Sequence, residues 1–321
     1  MSLLSVHDLH VWFDLPHGGR LHAVQGVSFD LDEGHRLGLV GESGCGKTTA
    51  LLALMGLLPP SAEVAGSVAV GGAEILGGGE DSMRPHRWTD VSMVFQGAMN
   101  ALNPVKTIGA QIVEPMEFHG TASGAAAKDE AGELLQLVGI PASAAARYPH
   151  EFSGGMRQRA AIAMALACNP KVLLADEPTT ALDVMVQAQI LELLETLTVE
   201  LGLALVLVTH DLPLVTQVCE RAVVMYAGRV AEAGSVDTLF HDPRHPYTRL
   251  LFEATPDLSG EVEVVSIPGA PPRLDRPIEG CPFEPRCDRA FDRCKVDTPV
   301  LRRVAASHEA ACHLNDAVIH A

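Results

Sequence analysis

The chain has 321 residues, 47% of them hydrophobic and 20% charged, a composition that argues against both a disordered chain and a fibrous repeat. Its formal net charge of −17, with no basic patch, argues against a protein that coats DNA or RNA. No uninterrupted apolar stretch is as long as the roughly 18 residues that a transmembrane helix needs. The N-terminus lacks the basic segment followed by an apolar segment that marks a secretory signal peptide. We therefore expect a cytosolic protein with reduced cysteines.

The first predicted elements are two strands over residues 3–13 and 21–31, which alternate apolar and polar positions on either side of a turn rich in Pro and Gly. They predict an antiparallel hairpin. Beyond it, short buried strands precede helical patterns three times, and this alternation indicates a parallel α/β sheet. The strands are predicted over residues 35–40, 171–176 and 203–209. The helical patterns that follow them cover residues 47–57, residues 184–201 and the residues after 209.

Two further features organise the chain. An alanine-rich, largely helical insertion covers about residues 97–166. Ten of the 21 prolines and four of the seven cysteines follow Phe240, which predicts extended connecting structure there and a domain boundary at that point. We therefore predict one domain over residues 1–240 and a second, smaller one over residues 241–321.

A glycine-rich segment after the first α/β strand matches the P-loop pattern, with a strand before it and a helix after it. Its glycines would let backbone N–H groups and the helix N-terminus converge on the phosphates of ATP. Lys47 would neutralise the β- and γ-phosphates, and the Thr48 hydroxyl would bind Mg²⁺. The segment consists of Gly41, Glu42, Ser43, Gly44, Cys45, Gly46, Lys47 and Thr48, with Thr49 next in the helix.

Two adjacent acidic residues stand at the end of the predicted strand over 171–176, the first in the strand and the second directly after it. Asp176, at its carboxyl end, could hold Mg²⁺ through the ion's water shell, and Glu177 could orient or deprotonate the attacking water. Taken alone, adjacent acids after an apolar run fit a solvated loop equally well. Together with a P-loop they predict a nucleotide-hydrolysing site.

Motifs in a fixed order make the chain resemble the ATP-binding cassette (ABC) family of transporter ATPases over residues 3 to about 240. The signature segment discriminates best, since many P-loop proteins lack it. The resemblance implies a parallel-sheet core with an antiparallel β subdomain and a helical subdomain. Besides the P-loop and the acidic pair, the motifs comprise Gln96, the signature residues Ser153, Gly154, Gly155 and Met156, Asp183 in the D-loop, and His210.

The resemblance also implies how these residues act on ATP. Gln96 would reach Mg²⁺ and the attacking water, and His210 would contact the γ-phosphate. The signature precedes a helix and can form an anion-binding N-terminus, but it lies too far along the fold to reach its own P-loop. A dimer that sandwiches each ATP is therefore implied. Phe13 matches the aromatic that stacks on adenine in this family, and Trp12 is the alternative.

Two positions depart from the commonest family pattern. Met156 stands where the signature more often has Gln, which indicates one branch of the family, because Glu177 and His210 are intact and hydrolysis is expected. Cys45 stands where Ser is frequent in the P-loop. Because N–H dipoles and Lys47 surround it, its thiol is predicted to have a depressed pKa and to react with alkylating agents.

The tail resembles the C-terminal extension of the oligopeptide, dipeptide and nickel importer ATPases. The resemblance rests on a segment over residues 243–248 and on a Cys-containing segment over 280–287. The residues around the signature look like those of a D-type subunit of these importers. D-type subunits commonly pair with an F-type ATPase, so a heterodimer is expected more than a homodimer.

Cys281, Cys287, Cys294 and Cys312 are separated by gaps wider than the tight pairs that are usual in zinc sites. Such spacing fits a 4Fe-4S cluster at least as well as zinc, and unliganded core cysteines are a third alternative. The resemblance to importers favours the cluster. Its expected role is structural, as a staple for a tail that is too short to build its own core.

The resemblance finally implies a motor subunit at the cytoplasmic face of the cell membrane. It would hydrolyse ATP to drive import of oligopeptides or dipeptides through two membrane permease subunits, docked near residues 100–104, with a solute-binding protein delivering the cargo. Import of nickel or oligosaccharides is the alternative. A soluble ABC-type ATPase of DNA repair or translation is more remote, because the sequence shows neither their long coiled coil nor a second cassette.

Overall fold

The computed structural model describes residues 2–16, 18–76, 79–97, 101–180, 182–254 and 266–316. The strands in these ranges are β1 (Leu4–Asp14), β2 (Arg20–Leu31), β3 (Arg36–Val40), β4 (Ala62–Val70), β5 (Ala73–Glu74), β6 (Val91–Val94), β7 (Val172–Asp176), β8 (Ala204–Thr209), β9 (Arg221–Tyr226), β10 (Arg229–Ser235), β11 (Arg302–Ala305) and β12 (His308–Ala310). The α-helices are α1 (Lys47–Leu54), α2 (Gly79–Met83), α3 (Ile108–His119), α4 (Gly124–Leu137), α5 (Gly154–Ala165), α6 (Val184–Leu201), α7 (Leu212–Val218), α8 (Val236–His241), α9 (Pro246–Glu253) and α10 (Asp292–Val296).

The chain divides into two compact units. The first unit comprises Met1–Leu4, Leu31–His35 and Ala69–Leu207. The second unit comprises Ser5–Asp30, Arg36–Val68 and Val208–Ala321. Among the residues described in either unit, no helix combines the length and the apolar character needed to cross a bilayer.

The first unit contains parallel strands and a group of helices. β6 and β7 run parallel, with Val91 opposite Val172, and β8 follows β7 in the sheet order. All residues of these three strands are buried, as is typical of parallel strands. Helices α3, α4 and α5 lie between β6 and β7 in the sequence. The first of them begins at Thr107, whose hydroxyl accepts a hydrogen bond from the Ala110 N–H, and ends at Gly120 in the left-handed conformation.

The second unit contains strands of two sheets, one of which is mixed. β3 pairs parallel with β9, and β9, β10, β12 and β11 continue in antiparallel pairs. β1 lies between β2 and β4 in a separate sheet. Between β1 and β2 the Leu15 N–H donates to the Gly19 carbonyl. These strands confirm the predicted α/β class with an additional β subdomain.

The tail is more regular than its proline content predicts, because β12 extends the sheet at β10, with Glu232 opposite Ala310. Glu232 is fully buried, and its carboxylate accepts hydrogen bonds from the backbone N–H groups of Arg244 (2.6 Å) and His245 (3.0 Å). The Nε2 atom of buried His308 on β12 lies 2.6 Å from the same carboxylate. Composition cannot reveal this anchor, since its members come from three separate segments.

We expect Glu232→Gln to lower the free energy of unfolding by about 3 kcal/mol, because an amide nitrogen would face N–H donors in a buried site. The measurement is the midpoint of urea unfolding. Asp237→Asn is the control, since the ion pair of Asp237 with His241 is exposed and should leave the midpoint unchanged. Equal midpoints for Glu232→Gln and the wild type would show that this carboxylate does not anchor the tail.

Candidate nucleotide-binding site

The P-loop lies in the second unit, between β3 and α1. Two of its glycines have positive φ and leave no room for a side chain. A Cβ on Gly41 (φ 147°) would lie 2.2 Å from the Met225 carbonyl oxygen, and one on Gly46 (φ 107°) would lie 2.5 Å from the Ala23 carbonyl oxygen. Any other residue would force these backbone segments apart. The two glycines therefore fix the turn that leads the backbone into α1.

Lys47 opens α1 and is only 6% exposed. Its ammonium donates hydrogen bonds to the carbonyl oxygens of Gly41 (2.7 Å) and Glu42 (3.0 Å). A buried charge needs such partners, because loss of hydration is costly. The loop thus curls around a positive charge, an arrangement suited to recognition of phosphate oxygens. The exposed members of the predicted loop are Ser43, Gly44 and Thr48.

Cys45 does not have the activated thiol that its neighbours in the sequence predict. The residue is 5% exposed, and burial raises the pKa of its thiol above the ordinary value, while Lys47 and backbone N–H groups lower it by less. The prediction of a depressed pKa is therefore wrong, and it was the ground on which ready alkylation was expected. The sequence shows the charge beside the thiol but not the loss of solvent around it.

Two residues that sequence analysis left without a role, Tyr247 and Arg286, contact the P-loop within the second unit. The Glu42 N–H donates to the Tyr247 hydroxyl (2.9 Å). The Glu42 carboxylate accepts two hydrogen bonds from the Arg286 guanidinium (2.6 and 3.0 Å). Arg286 follows Glu42 by 244 positions, so no local spacing could have indicated the pair.

The first unit brings together two of the predicted catalytic residues, Gln96 and Glu177. They follow β6 and β7, which are parallel neighbours, so both leave the sheet at the same edge. Gln96 Nε2 donates to Glu177 Oε2 (2.8 Å), and the hydroxyl of Thr180, which begins the predicted D-loop and was given no role of its own, donates to the same oxygen (2.9 Å). Glu177 has a φ of 44°, which is uncommon for a non-glycine residue and needs support from its surroundings. Asp176 is 1% exposed at the end of β7.

The signature segment begins helix α5 of the first unit. Ser153 is the N-cap, and its hydroxyl accepts a hydrogen bond from the Met156 N–H (3.3 Å). Ser153 is exposed, and Gly154 and Gly155 follow it partly exposed in the first turn. The positive end of a twelve-residue helix is thus presented at the surface of this unit, where it suits an anion. Asp183 caps α6 in the same way.

Three further predicted residues lie in the second unit. Phe13 is half-buried near the end of β1. Trp12, which points to the other face of that strand, stacks on the His22 ring with 4.6 Å between centroids, and the Arg20 guanidinium lies 5.4 Å from its ring centre. Trp12 is therefore engaged within β1 and β2. His210 is exposed directly after β8.

The iron–sulfur prediction is wrong. Cys281, Cys287, Cys294 and Cys312 all lie in the described part of the chain, yet within that part no three His, Cys, Asp or Glu side chains are arranged to hold a metal. Burial raises the pKa of Cys281 and of Cys312 to about 11, and nearby cysteines add to the effect. The spacing of the four cysteines in the sequence does not reveal whether their side chains are arranged to hold a metal.

Two family models match the chain. The one described as "ABC transporter" covers residues 24–180, and the one described as "Oligopeptide/dipeptide transporter, C-terminal region" covers residues 231–294. The dipeptide transport ATP-binding protein DppD of Bacillus subtilis is 46% identical over 321 residues, 98% of this chain and 95% of the relative. The oligopeptide transport ATP-binding protein OppD of Escherichia coli is 46% identical over 302 residues, 93% and 89% of the two chains. Neither name refers to an iron–sulfur cluster.

Solved structures agree with these matches. The dimeric ATP-binding cassette MJ0796, in a post-hydrolysis state with ADP and Pi bound, is 30% identical with a TM-score of 0.64, covering 73% of this chain and 98% of that one. The cbiO1 protein of Clostridium perfringens, part of the ABC transporter complex cbiONQ, is 27% identical with a TM-score of 0.62, covering 75% and 91%. The predicted cassette fold is thus confirmed. Since curated relatives match over nearly their whole length, the chain belongs to the ABC transporter family and carries the C-terminal region of its oligopeptide/dipeptide branch.

Proposed function

We propose that the chain is the ATP-hydrolysing motor subunit of an ABC importer for oligopeptides or dipeptides. The observation that carries the proposal is the nearly end-to-end match to dipeptide and oligopeptide transport ATP-binding proteins, cassette and C-terminal region together. The names of these relatives favour peptides over nickel or oligosaccharides. They give no support to a role in DNA repair or translation. Residues 1–240 would form the cassette and residues 241–321 the importer-type extension.

The P-loop is proposed to bind the phosphates of ATP. Its backbone N–H groups surround the phosphates, and Lys47 exchanges its carbonyl partners for β- and γ-phosphate oxygens. Thr48, Gln96 and Asp176 would hold Mg²⁺, since hydroxyl, amide and carboxylate oxygens are the ligands that this ion prefers. Bound Mg²⁺ supplies neutralisation of phosphate charge. Phe13 would stack on adenine, because Trp12 is engaged by His22.

Glu177 is proposed as the base of the hydrolysis step. It accepts a proton from the attacking water, the water oxygen bonds to the γ-phosphorus, and the bond from that phosphorus to the bridging oxygen breaks, giving ADP and phosphate. The hydrogen bonds from Gln96 and Thr180 orient the carboxylate for this role. His210 would contact the γ-phosphate.

A second ATPase subunit would complete the site, and we propose a heterodimer rather than a homodimer. The exposed N-terminus of α5 supports this arrangement, since it offers backbone N–H groups to a phosphate held by another chain. The D-loop residue Asp183 would lie at the same interface. The residues proposed to contact the partner's ATP are Ser153, Gly154, Gly155 and Met156.

A groove in the first unit is proposed as the docking site for a permease subunit. It has a volume of about 590 Å³, and its walls include Trp88, Phe95 and Phe118, the last of which is 67% exposed. The lining also includes charged side chains, among them the ion pair of Lys106 with Glu114 (2.7 Å). A lining that combines exposed aromatic and charged side chains suits an amphipathic helix of a partner.

The docking segment predicted at residues 100–104 borders this groove. Residue 100 lies outside the described residues, whereas Ala101 and Asn103 line the groove. We propose that two permease subunits hold the ATPase pair in this way at the cytoplasmic face of the membrane. An extracytoplasmic solute-binding protein would deliver the peptide to the permeases without touching this chain.

Reconstitution of the ATPase pair with its permeases and solute-binding protein in liposomes tests the function. We expect oligopeptides or dipeptides to stimulate ATP hydrolysis and to accumulate in the vesicles only when ATP is present. Nickel and oligosaccharides serve as competing cargoes. Stimulation by one of those cargoes alone would contradict peptide import, and purification without any permease would contradict transport itself.

We expect Glu177→Gln to slow ATP hydrolysis at least about a hundredfold while ATP binding is retained, because only the proton acceptor is lost. Hydrolysis is measured by phosphate release and binding by calorimetry. Glu200→Gln is the matched control at an exposed position of α6 and should hydrolyse ATP at the wild-type rate. Undiminished hydrolysis by Glu177→Gln would rule out this residue as the base.

We expect Phe118→Asp to abolish co-purification with the permease subunits and to leave ATP binding intact, because a charge would replace the most exposed apolar surface of the groove. Val199→Asp is the control, since Val199 is 72% exposed on α6, away from the groove lining. If Phe118→Asp still co-purifies with the permeases, the groove is not their docking site.

A further inference from the structure

Glu42 in the P-loop is held at every one of its polar groups by neighbours in the second unit. Its N–H donates to the Tyr247 hydroxyl (2.9 Å), and its carbonyl accepts from the Lys47 ammonium (3.0 Å). Its two carboxylate oxygens accept hydrogen bonds from Arg286 at 2.6 and 3.0 Å. Tyr247 lies on α9, and Arg286 ends a short 3-10 turn over Glu284–Arg286. The C-terminal region therefore sets the path of the P-loop backbone at this residue.

Arg286 is itself held in one place. Its side chain is 3% exposed, its Nε donates to the Pro268 carbonyl (2.7 Å), and its Nη1 donates to the Tyr226 hydroxyl (3.2 Å) as well as to Glu42. The rings of Tyr226 and Phe283 have their centres 5.8 and 5.9 Å from the guanidinium carbon. These contacts fix a planar fork whose two N–H groups meet the Glu42 carboxylate, a geometry that lysine cannot reproduce.

The charge of Glu42 explains why such a partner is needed. Its side chain is 25% exposed and carries a negative charge in the loop proposed to bind a polyphosphate. An unpaired carboxylate there would repel the phosphates, and partial burial strengthens the repulsion because solvent screens it less. The bidentate pair with Arg286 cancels this charge.

We propose that Arg286 is a positioning residue for ATP binding. It neutralises Glu42 and, together with Tyr247, fixes the P-loop, so that the C-terminal region contributes to the nucleotide site without contacting the nucleotide. The inference rests on the proposed function, because it takes the P-loop to be the site of ATP binding.

The test is calorimetric titration of the full chain with the non-hydrolysable analogue AMP-PNP and Mg²⁺. We expect Arg286→Gln to weaken binding about tenfold, because it leaves an unpaired carboxylate in the loop. In the double variant with Glu42→Gln, binding should return to within about threefold of the wild type, because the repelling charge is gone. Tyr247→Phe, which removes one hydroxyl, should weaken binding about threefold. Arg249→Gln is the control, since it removes another tail guanidinium, paired with Asp288 at 2.6 Å.

The recovery in the double variant separates a positioning role from general damage to the fold, which a second substitution would not repair. Wild-type affinity in Arg286→Gln, or in Tyr247→Phe should Arg286→Gln fail to fold, would overturn the inference. The inference would also be overturned if the double variant melted at the wild-type temperature but bound AMP-PNP as weakly as Arg286→Gln does. A wild-type chain that does not bind AMP-PNP would overturn the proposed function, and the inference with it.

Discussion

The close approach of backbone segments around the P-loop is the constraint on which the rest of the site depends. Gly41 and Gly46 face the carbonyl oxygens of Met225 and Ala23 at distances that no Cβ could occupy. With those contacts the loop follows one path, and Lys47 is enclosed by carbonyl groups at the start of α1. β3, the P-loop and α1 are thus arranged around the buried ammonium group of Lys47.

The distribution of charge makes this local arrangement necessary. The first 240 residues contain 27 acidic and 13 basic residues, so the long-range field of the chain repels an anionic nucleotide. Screening at physiological ionic strength limits that repulsion to about 8 Å. The proposed affinity for ATP would therefore arise within the loop, from backbone N–H groups and from Lys47. Even there one carboxylate, that of Glu42, is present, and it is paired with Arg286.

Local patterns in the sequence predicted the fold class and placed candidate site residues at the ends of neighbouring strands, whereas long-range contacts and burial escaped them. Gln96 and Glu177 could be predicted to meet, because parallel strands end at one edge of a sheet. The pairing of Arg286 with Glu42 could not, since the two are far apart in the chain. The errors at Cys45 and at the four tail cysteines share one cause: a thiol's state depends on its solvent exposure and on side-chain convergence, which spacing does not report.

The pairing of β12 with β10 means that β12 and β11 cover an edge of the sheet. A chain lacking these two strands would leave the main-chain donors and acceptors of β10 open to strands of other molecules, a common route to aggregation. The new edge, β11, is four residues long and carries Arg302 and Arg303, features that discourage such pairing. Loss of the extension during evolution would therefore demand a redesigned β10, because Glu232 would otherwise lose its histidine partner on β12.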